Sequence, residues 1–243
     1  MRLKCLTCEA LARPVYQCAA QSPHLIDIEL VRLGLHNRPA TLRAHLQALI
    51  DAALPDKYDA VLLAYGLCGQ ATAGLATRQL RLVLPRAHDC ITLFLGSRQR
   101  YNQQFESNPG TYWYSQDFIE RRDGDSAVLS MGSDIDVDME GMYESYVAKY
   151  GKDNADYLME VMGAWQKHYN RAAFIDLGTG DTSELVEKAR AEAGRRGWTY
   201  ELLQGDITLI RRLVQGAWDD DFLVVPPGHQ ILMAASDDVI GYC

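Results

Sequence analysis

The sequence predicts an α/β protein: two Rossmann-like halves with parallel sheets, a helical and aromatic-rich middle segment, and a site at the strand C-terminal edges. Three observations carry this. Short apolar runs alternate with amphipathic helical stretches, the pattern of strands linked by crossover helices. Tyr58–Tyr65 is almost continuously apolar, as befits a strand covered on both faces. The alternation stops after Gly96 and returns at Ala173, which divides the chain into 1–100, a connector or lid over 101–170, and 171–243.

The elements follow in order. Leu3–Thr7 reads as a strand and Cys8-Glu9 opens a helix through Ala20. Pro14 makes that helix start late or kink. Leu25–Leu33 is a strand, closed by Asn37-Arg38-Pro39. Thr41–Ala53 is a helix with Leu42, Leu46 and Leu49 on one face. Tyr58–Tyr65 and Leu80–Leu84 are strands, and Asp89 caps a helix over Cys90–Leu95. From Gly96 to Ser133 no regular element is expected; Tyr101, Phe105, Tyr112, Trp113 and Tyr114 make the stretch a lid or a packed excursion. Helices are expected over 138–150 and 153–170. Ala173–Leu177, Ser183–Arg196, Thr199–Leu203, Ile207–Gln215 and Phe222–Val225 complete the second half.

Composition narrows the partners. With 24 basic and 32 acidic side chains the net charge is −8, which argues against a nucleic-acid surface. No apolar run reaches the length of a membrane span, and the first residues lack a signal-peptide pattern. The expectation is a cytoplasmic protein acting on a small-molecule substrate. Six cysteines in 243 residues do not make a disulfide scaffold. In a reducing compartment, thiols at strand ends read as metal ligands or catalytic groups.

Those strand-end thiols form the main constellation. LKCLTC, AVLLAYGLC and LVLPRAHDC each run from an apolar strand into a cysteine: Cys8, Cys68 and Cys90. Ligands of open α/β sheets bind outside the strands' carboxyl ends, so these thiols meet at one edge. His88 precedes Cys90 by two. Thiolate and imidazole are the preferred zinc ligands, and three protein ligands leave a catalytic position open. The metal set is therefore Cys8, Cys68 and Cys90, with His88 as ligand or acid/base and Glu9 as a general base or ligand. Two other uses stay open, an iron–sulfur cluster and metal-free thiol catalysis, as does a plain structural role.

Further residues join as binding candidates. Gly69, in Tyr65-Gly-Leu-Cys-Gly-Gln70, lets backbone approach a ligand. Arg86 offers a fork for a carboxylate or phosphate, with a surface salt bridge as its ordinary alternative. Asp89 also suits orienting His88. Gly178, in Asp176-Leu-Gly-Thr-Gly-Asp181, opens a loop between strand and helix like the glycine motif of S-adenosylmethionine-dependent methyltransferases, with Asp181 where that motif has its third glycine. His229 follows the last strand. Cys5 and Cys18 read as buried apolar residues. Cys243 and His24, His36, His45 and His168 carry no assigned role.

The segments Cys8-Glu9, YGLCG (65–69), PRAHDC (85–90), LGS (95–97), PGTYW (109–113), IDLG (175–178) and FLVVPPG (222–228) resemble the uncharacterised family designated domain of unknown function 1638. The resemblance implies a neighbourhood of corrinoid-dependent methyl transfer, hence a corrinoid protein as partner. His88-Asp89-Cys90 is similar to the His-x-Cys pair of zinc methyltransferases that pass methyl groups between corrinoids and thiols, although Cys8 and Cys68 here precede the pair. The expected function is a zinc-thiolate enzyme of one-carbon metabolism, possessing methyltransferase activity. The alternative is an accessory protein that binds a metal, an iron–sulfur cluster or a corrinoid.

Overall fold

The computed structural model describes residues 1–121, 169–234 and 239–243, with the single positions 147 and 152. In chain order these form β1 (Arg2–Cys8), a 3-10 turn (Glu9–Leu11), α1 (Ala12–Ala20), β2 (Leu25–Val31), a second 3-10 turn (Leu33–Asn37), α2 (Pro39–Asp51), β3 (Ala60–Ala64), β4 (Arg81–Pro85) and α3 (Cys90–Leu95). Then come α4 (Arg98–Ser107), β5 (Thr111–Ser115), α5 (Gln116–Glu120), β6 (Arg171–Asp176), α6 (Ser183–Arg196), β7 (Thr199–Gln204), α7 (Thr208–Gln215), β8 (Phe222–Val225), β9 (Ile231–Met233) and β10 (Ile240–Tyr242). The helices expected over 138–150 and 153–170 lie outside the described residues.

The chain is α/β with parallel sheets. A five-stranded sheet has the order β2-β1-β3-β4-β8, parallel except for β8, and a three-stranded parallel sheet has the order β5-β6-β7. β9 and β10 form an antiparallel pair. β1 lies between β2 and β3, so the crossover from β1 to β2 and the one from β2 to β3 run in opposite directions. Right-handed connections then place α1 and α2 on opposite faces. This explains the unbroken burial of β3, Ala60 to Ala64, and of Leu42, Leu46 and Ile50 on α2. Each such Leu, moved from water to this core, contributes about 2 kcal/mol.

The reversal also fixes where a ligand belongs. In open sheets the crevice opens outside the carboxyl ends of the strands where the order reverses. Here that is the end of β1 and β3. The small sheet closes on the same edge. Asp117, buried at the start of α5, accepts a 2.8 Å hydrogen bond from the Arg13 backbone N–H and pairs with the guanidinium groups of Arg13 and Arg121. Asp206, just beyond β7, donates its N–H to the Phe94 carbonyl of α3 at 2.9 Å. The carboxyl ends of both sheets thus approach each other across the Glu9–Leu11 turn and α3.

As Pro14 leads one to expect, the first helix starts late: Pro14 sits in the first turn of α1, where its missing N–H has no helical partner to lose. Other elements differ from the sequence reading for identifiable reasons. The described part of the stretch after Gly96 holds regular elements, α4, β5 and α5. Ser97 caps α4 by accepting the Arg100 N–H at 3.1 Å, but α4 buries no residue and so lacks an apolar stripe. Thr111–Ser115 is not part of a lid; it is a strand of the small sheet. β8 does not extend the second half. It returns to the first sheet as an antiparallel edge strand beside β4, so the two sheets are not two consecutive halves of the chain.

Candidate thiol site at the strand ends

Cys8 ends β1 and caps the turn that follows, its Sγ accepting the Ala10 N–H at 3.5 Å. The thiol is buried. Burial pushes it up to about 12; the Ala10 N–H opposes this, and the carboxylates of Glu9 and Asp117 add to it. Cys68 follows β3 by a loop that remains zipped to the loop after β4. Leu67 donates its N–H to the Ala87 carbonyl at 2.8 Å and Cys68 to His88 at 2.9 Å. Gly66 permits this closeness: a Cβ there would lie 2.6 Å from the Asp89 nitrogen and 2.9 Å from the Ala87 oxygen. The chain then turns through three left-handed residues, Cys68 (φ 47°), Gly69 (φ 62°) and Gln70 (φ 70°). Non-glycine residues rarely hold this conformation without support.

Cys90 is the first residue of α3. Asp89 caps that helix, its Oδ1 accepting the N–H groups of Ile91 at 2.9 Å and Thr92 at 3.4 Å, while its Oδ2 accepts the Tyr101 hydroxyl at 3.3 Å. Burial raises the Asp89 carboxyl and more than offsets these bonds. The three thiols stand close enough to act on each other. After burial, Asp89 and Cys8 oppose ionisation of Cys68, and Asp89, Cys68 and Cys8 oppose that of Cys90. Among the described residues no cation figures in either balance. The edge is acidic, with Glu9, Asp89 and Asp117 around the thiols.

Two further residues meet here. Tyr65, the first residue past β3, is 1% exposed, and its hydroxyl has no hydrogen-bond partner. Burial drives that hydroxyl far above its ordinary pKa, with Cys8, Cys68 and Glu9 adding to the rise. His36 stacks on it, ring centres 6.0 Å apart and planes 18° from parallel. The His36 Nε2 is also buried without a partner, and burial holds the imidazole neutral, at about 4. The sequence gives His36 no company, because its neighbour is supplied by the fold. The only local signal is the Tyr65 side of the pair, within YGLCG.

The other candidates are placed differently. Glu9 stays at the site but is engaged, accepting the Leu33 N–H at 2.9 Å. His88 is exposed and stacks on Tyr101 at 5.9 Å, outside the thiol cluster. Arg86 does not reach for a ligand; its guanidinium donates to the Ile240 carbonyl and ties β10 to the sheet. Gly69 lies in the left-handed turn beside Pro39. Gly178 belongs to the small sheet, where its N–H donates to Asp176 Oδ1 at 2.9 Å. His229 leaves the site altogether. Because β8 is antiparallel, Val225 pairs with Leu82 at the amino end of β4, and His229 emerges there, its N–H bonded to Pro226 and its carbonyl to Thr77. Cys5 and Cys18 are fully buried core residues.

In this arrangement no three His, Cys, Asp or Glu side chains among the described residues are drawn up to hold a metal ion. No described helix is long and apolar enough to cross a membrane. The family model for a protein of unknown function (DUF1638) matches residues 30–214, and the chain belongs to that family. No curated protein and no solved structure matches the chain.

Proposed function

We propose that this DUF1638 protein binds a soft divalent cation, zinc, through Cys8, Cys68 and Cys90, and uses it on a small molecule. One observation carries the reading. Thiols from three neighbouring parallel strands, β1, β3 and β4, end at the order reversal beside the carboxylates of Glu9, Asp89 and Asp117, where each opposes ionisation of the next. A cation is the complement that lets such a cluster ionise. The donor set suits zinc. The present side-chain arrangement does not yet form a metal-holding group, so binding takes a turn of the thiols toward a common point.

Bound zinc supplies a Lewis acid that activates a thiol or water. Methyl transfer to a substrate thiol, with a corrinoid protein as methyl donor, is the reaction this donor set suits. The protein's own residues hold the edge in shape: Asp89 fixes Cys90 at the start of α3, and Glu9 fixes the Leu33–Asn37 turn against β1. A second reading, a metal or iron–sulfur carrier without catalysis, is favoured by one observation. Glu9 is already bonded and His88 is exposed, so neither residue that the sequence offers as a base stands ready at the thiols.

Cobalt(II) or cadmium titration of anaerobically reduced protein tests the reading. A thiolate charge-transfer band and proton release on binding are expected, lost in Cys68→Ser and Cys90→Ser. Reduced protein that takes up none of these ions overturns it. A visible iron–sulfur band after anaerobic purification selects the carrier reading.

A further inference from the structure

Tyr65 and His36 pose a separate question. Buried hydroxyls and ring nitrogens nearly always find a partner, and leaving one unpaired is destabilising. Here two such atoms, the Tyr65 hydroxyl and the His36 Nε2, belong to stacked rings and both lack one. Their position is not arbitrary. Tyr65 follows β3, and His36 sits in the turn after β2 that Glu9 of β1's following turn holds in place. The rings therefore stand at the strand-order reversal, beside Cys8 and Cys68, whose charges bear on the Tyr65 hydroxyl.

We propose that Tyr65 and His36 form the polar end of the ligand site, receiving a neutral carbonyl, hydroxyl or amide group of the small molecule. The inference rests on the thiol edge being a binding site, and not on a metal being bound there. The chemistry of the surroundings selects the class. A phenol and a neutral imidazole each offer one hydrogen bond of either sense. A carboxylate or phosphate would meet Glu9 and the thiols, while the guanidinium groups at this edge are engaged: Arg13 with Asp117 and Glu120, Arg86 with the Ile240 carbonyl, and Arg43 with the Gln70 carbonyl. The fork expected of Arg86 is thus replaced by a recognition element that carries no charge.

Acetamide and acetate, matched in shape and differing in charge, are the probes. Binding is followed in metal-free, reduced protein by the side-chain nitrogen resonances of His36. Acetamide should bind about tenfold more tightly than acetate, and Tyr65→Phe should weaken acetamide about tenfold. The same substitution removes an unpaired hydroxyl without opening a cavity, so it should raise Tm of the ligand-free protein by roughly 2–4 °C. Equal binding of the two probes, unchanged acetamide binding in Tyr65→Phe, or a lowered Tm overturns the proposal. A lowered Tm would mean that the hydroxyl serves a structural partner such as an internal water. His36→Phe carries the same binding comparison through the Tyr65 ring resonances, and unchanged acetamide binding there is equally fatal. Failure to bind cobalt or cadmium leaves these measurements unaffected, so the two readings fail separately.

Discussion

Two loops in this chain leave a buried parallel strand, carry paired glycines and lead toward a helix or turn: 65–70 after β3 and 176–181 after β6. Gly66 in the first is pressed against the backbone of 87–89, and the loop donates two backbone hydrogen bonds to that neighbour. Its inward polar atom, the Tyr65 hydroxyl, is unpaired. In the second, Asp176 accepts the Gly178 N–H at 2.9 Å and Asp181 accepts the Ser183 N–H at 3.0 Å. A Cβ on Gly178 would meet nothing within 4 Å. The second loop has its polar groups paired, by its own side chains and by Gln116 and Gln204, and is open at Gly178. The other is locked by its neighbour and turns unsatisfied groups inward. Glycines alone do not mark a ligand loop; what the surrounding fold leaves unpaired does.

The largest expected effect breaks the first loop. Gly66→Ala puts a methyl group against backbone atoms that cannot rotate away, so β3 and β4 must separate at their ends. A loss of about 3 kcal/mol is expected, read from urea unfolding, together with faster reaction of Cys68 and Cys90 with a thiol reagent. A loss below about 1 kcal/mol would show that the two loops are not locked.

Acid titration probes the same loop through His36. Its pKa is about 4 in the folded chain against 6.5 as an ordinary histidine. As pH falls through 6.5 the unfolded chain takes up a proton that the folded chain refuses, so stability declines until about pH 4. The full span is worth roughly 3 kcal/mol. His36→Phe should flatten that limb. The alkaline limb should remain. Cys8 ionises near 12 when folded against 9.0 ordinarily, so its contribution is full below 9 and is lost as pH rises above it. Asp181, in the open loop, is held below the usual carboxylate range by the Ser183 N–H, so its contribution is lost only at lower pH. An acid limb unchanged in His36→Phe would assign the loss to carboxylates instead.

A smaller effect comes from the cap between the thiols. Asp89→Ala removes the acceptor for Ile91 and Thr92 and should cost about 1–2 kcal/mol. Asp89→Asn keeps the acceptor and should cost only tenths. Equal losses would mean that the carboxylate's charge, and not its cap, holds Cys90.

The sequence was legible where local rules decide. Cys90–Leu95 carries its own cap in Asp89, and Ser183–Arg196 ends at Gly197, whose φ of +69° favours a residue without a side chain. That β1, β3 and β4 end on one edge, with Cys8, Cys68 and Cys90 at or just past their ends, follows from their being parallel. The rest depends on pairing that no local pattern encodes. Phe222–Val225 reads as a strand, yet nothing in it specifies that it runs antiparallel to β4, and that single choice sends His229 to the opposite end of the sheet. Arg98–Ser107 lacks an apolar stripe because it buries nothing. His36 has no sequence neighbour that points to chemistry, since Tyr65 reaches it only through the fold.

The smallest expected effect completes the contrast between the loops. Gly178 holds a φ of +65°, which alanine adopts at a cost of about 1 kcal/mol, and the space beside it is open. Gly178→Ala should therefore lose about 1 kcal/mol in urea unfolding, from backbone conformation alone. Asparagine, which tolerates the left-handed region better, should recover part of it. Thiol reactivity at Cys68 and Cys90 should not change, because the Asp176–Asp181 loop is held by its own side chains and by Gln116 and Gln204. A Gly178→Ala loss as large as that of Gly66→Ala, with no recovery by asparagine, would mean that a surface packs against this loop. The distinction between an open loop and a locked one would then fall.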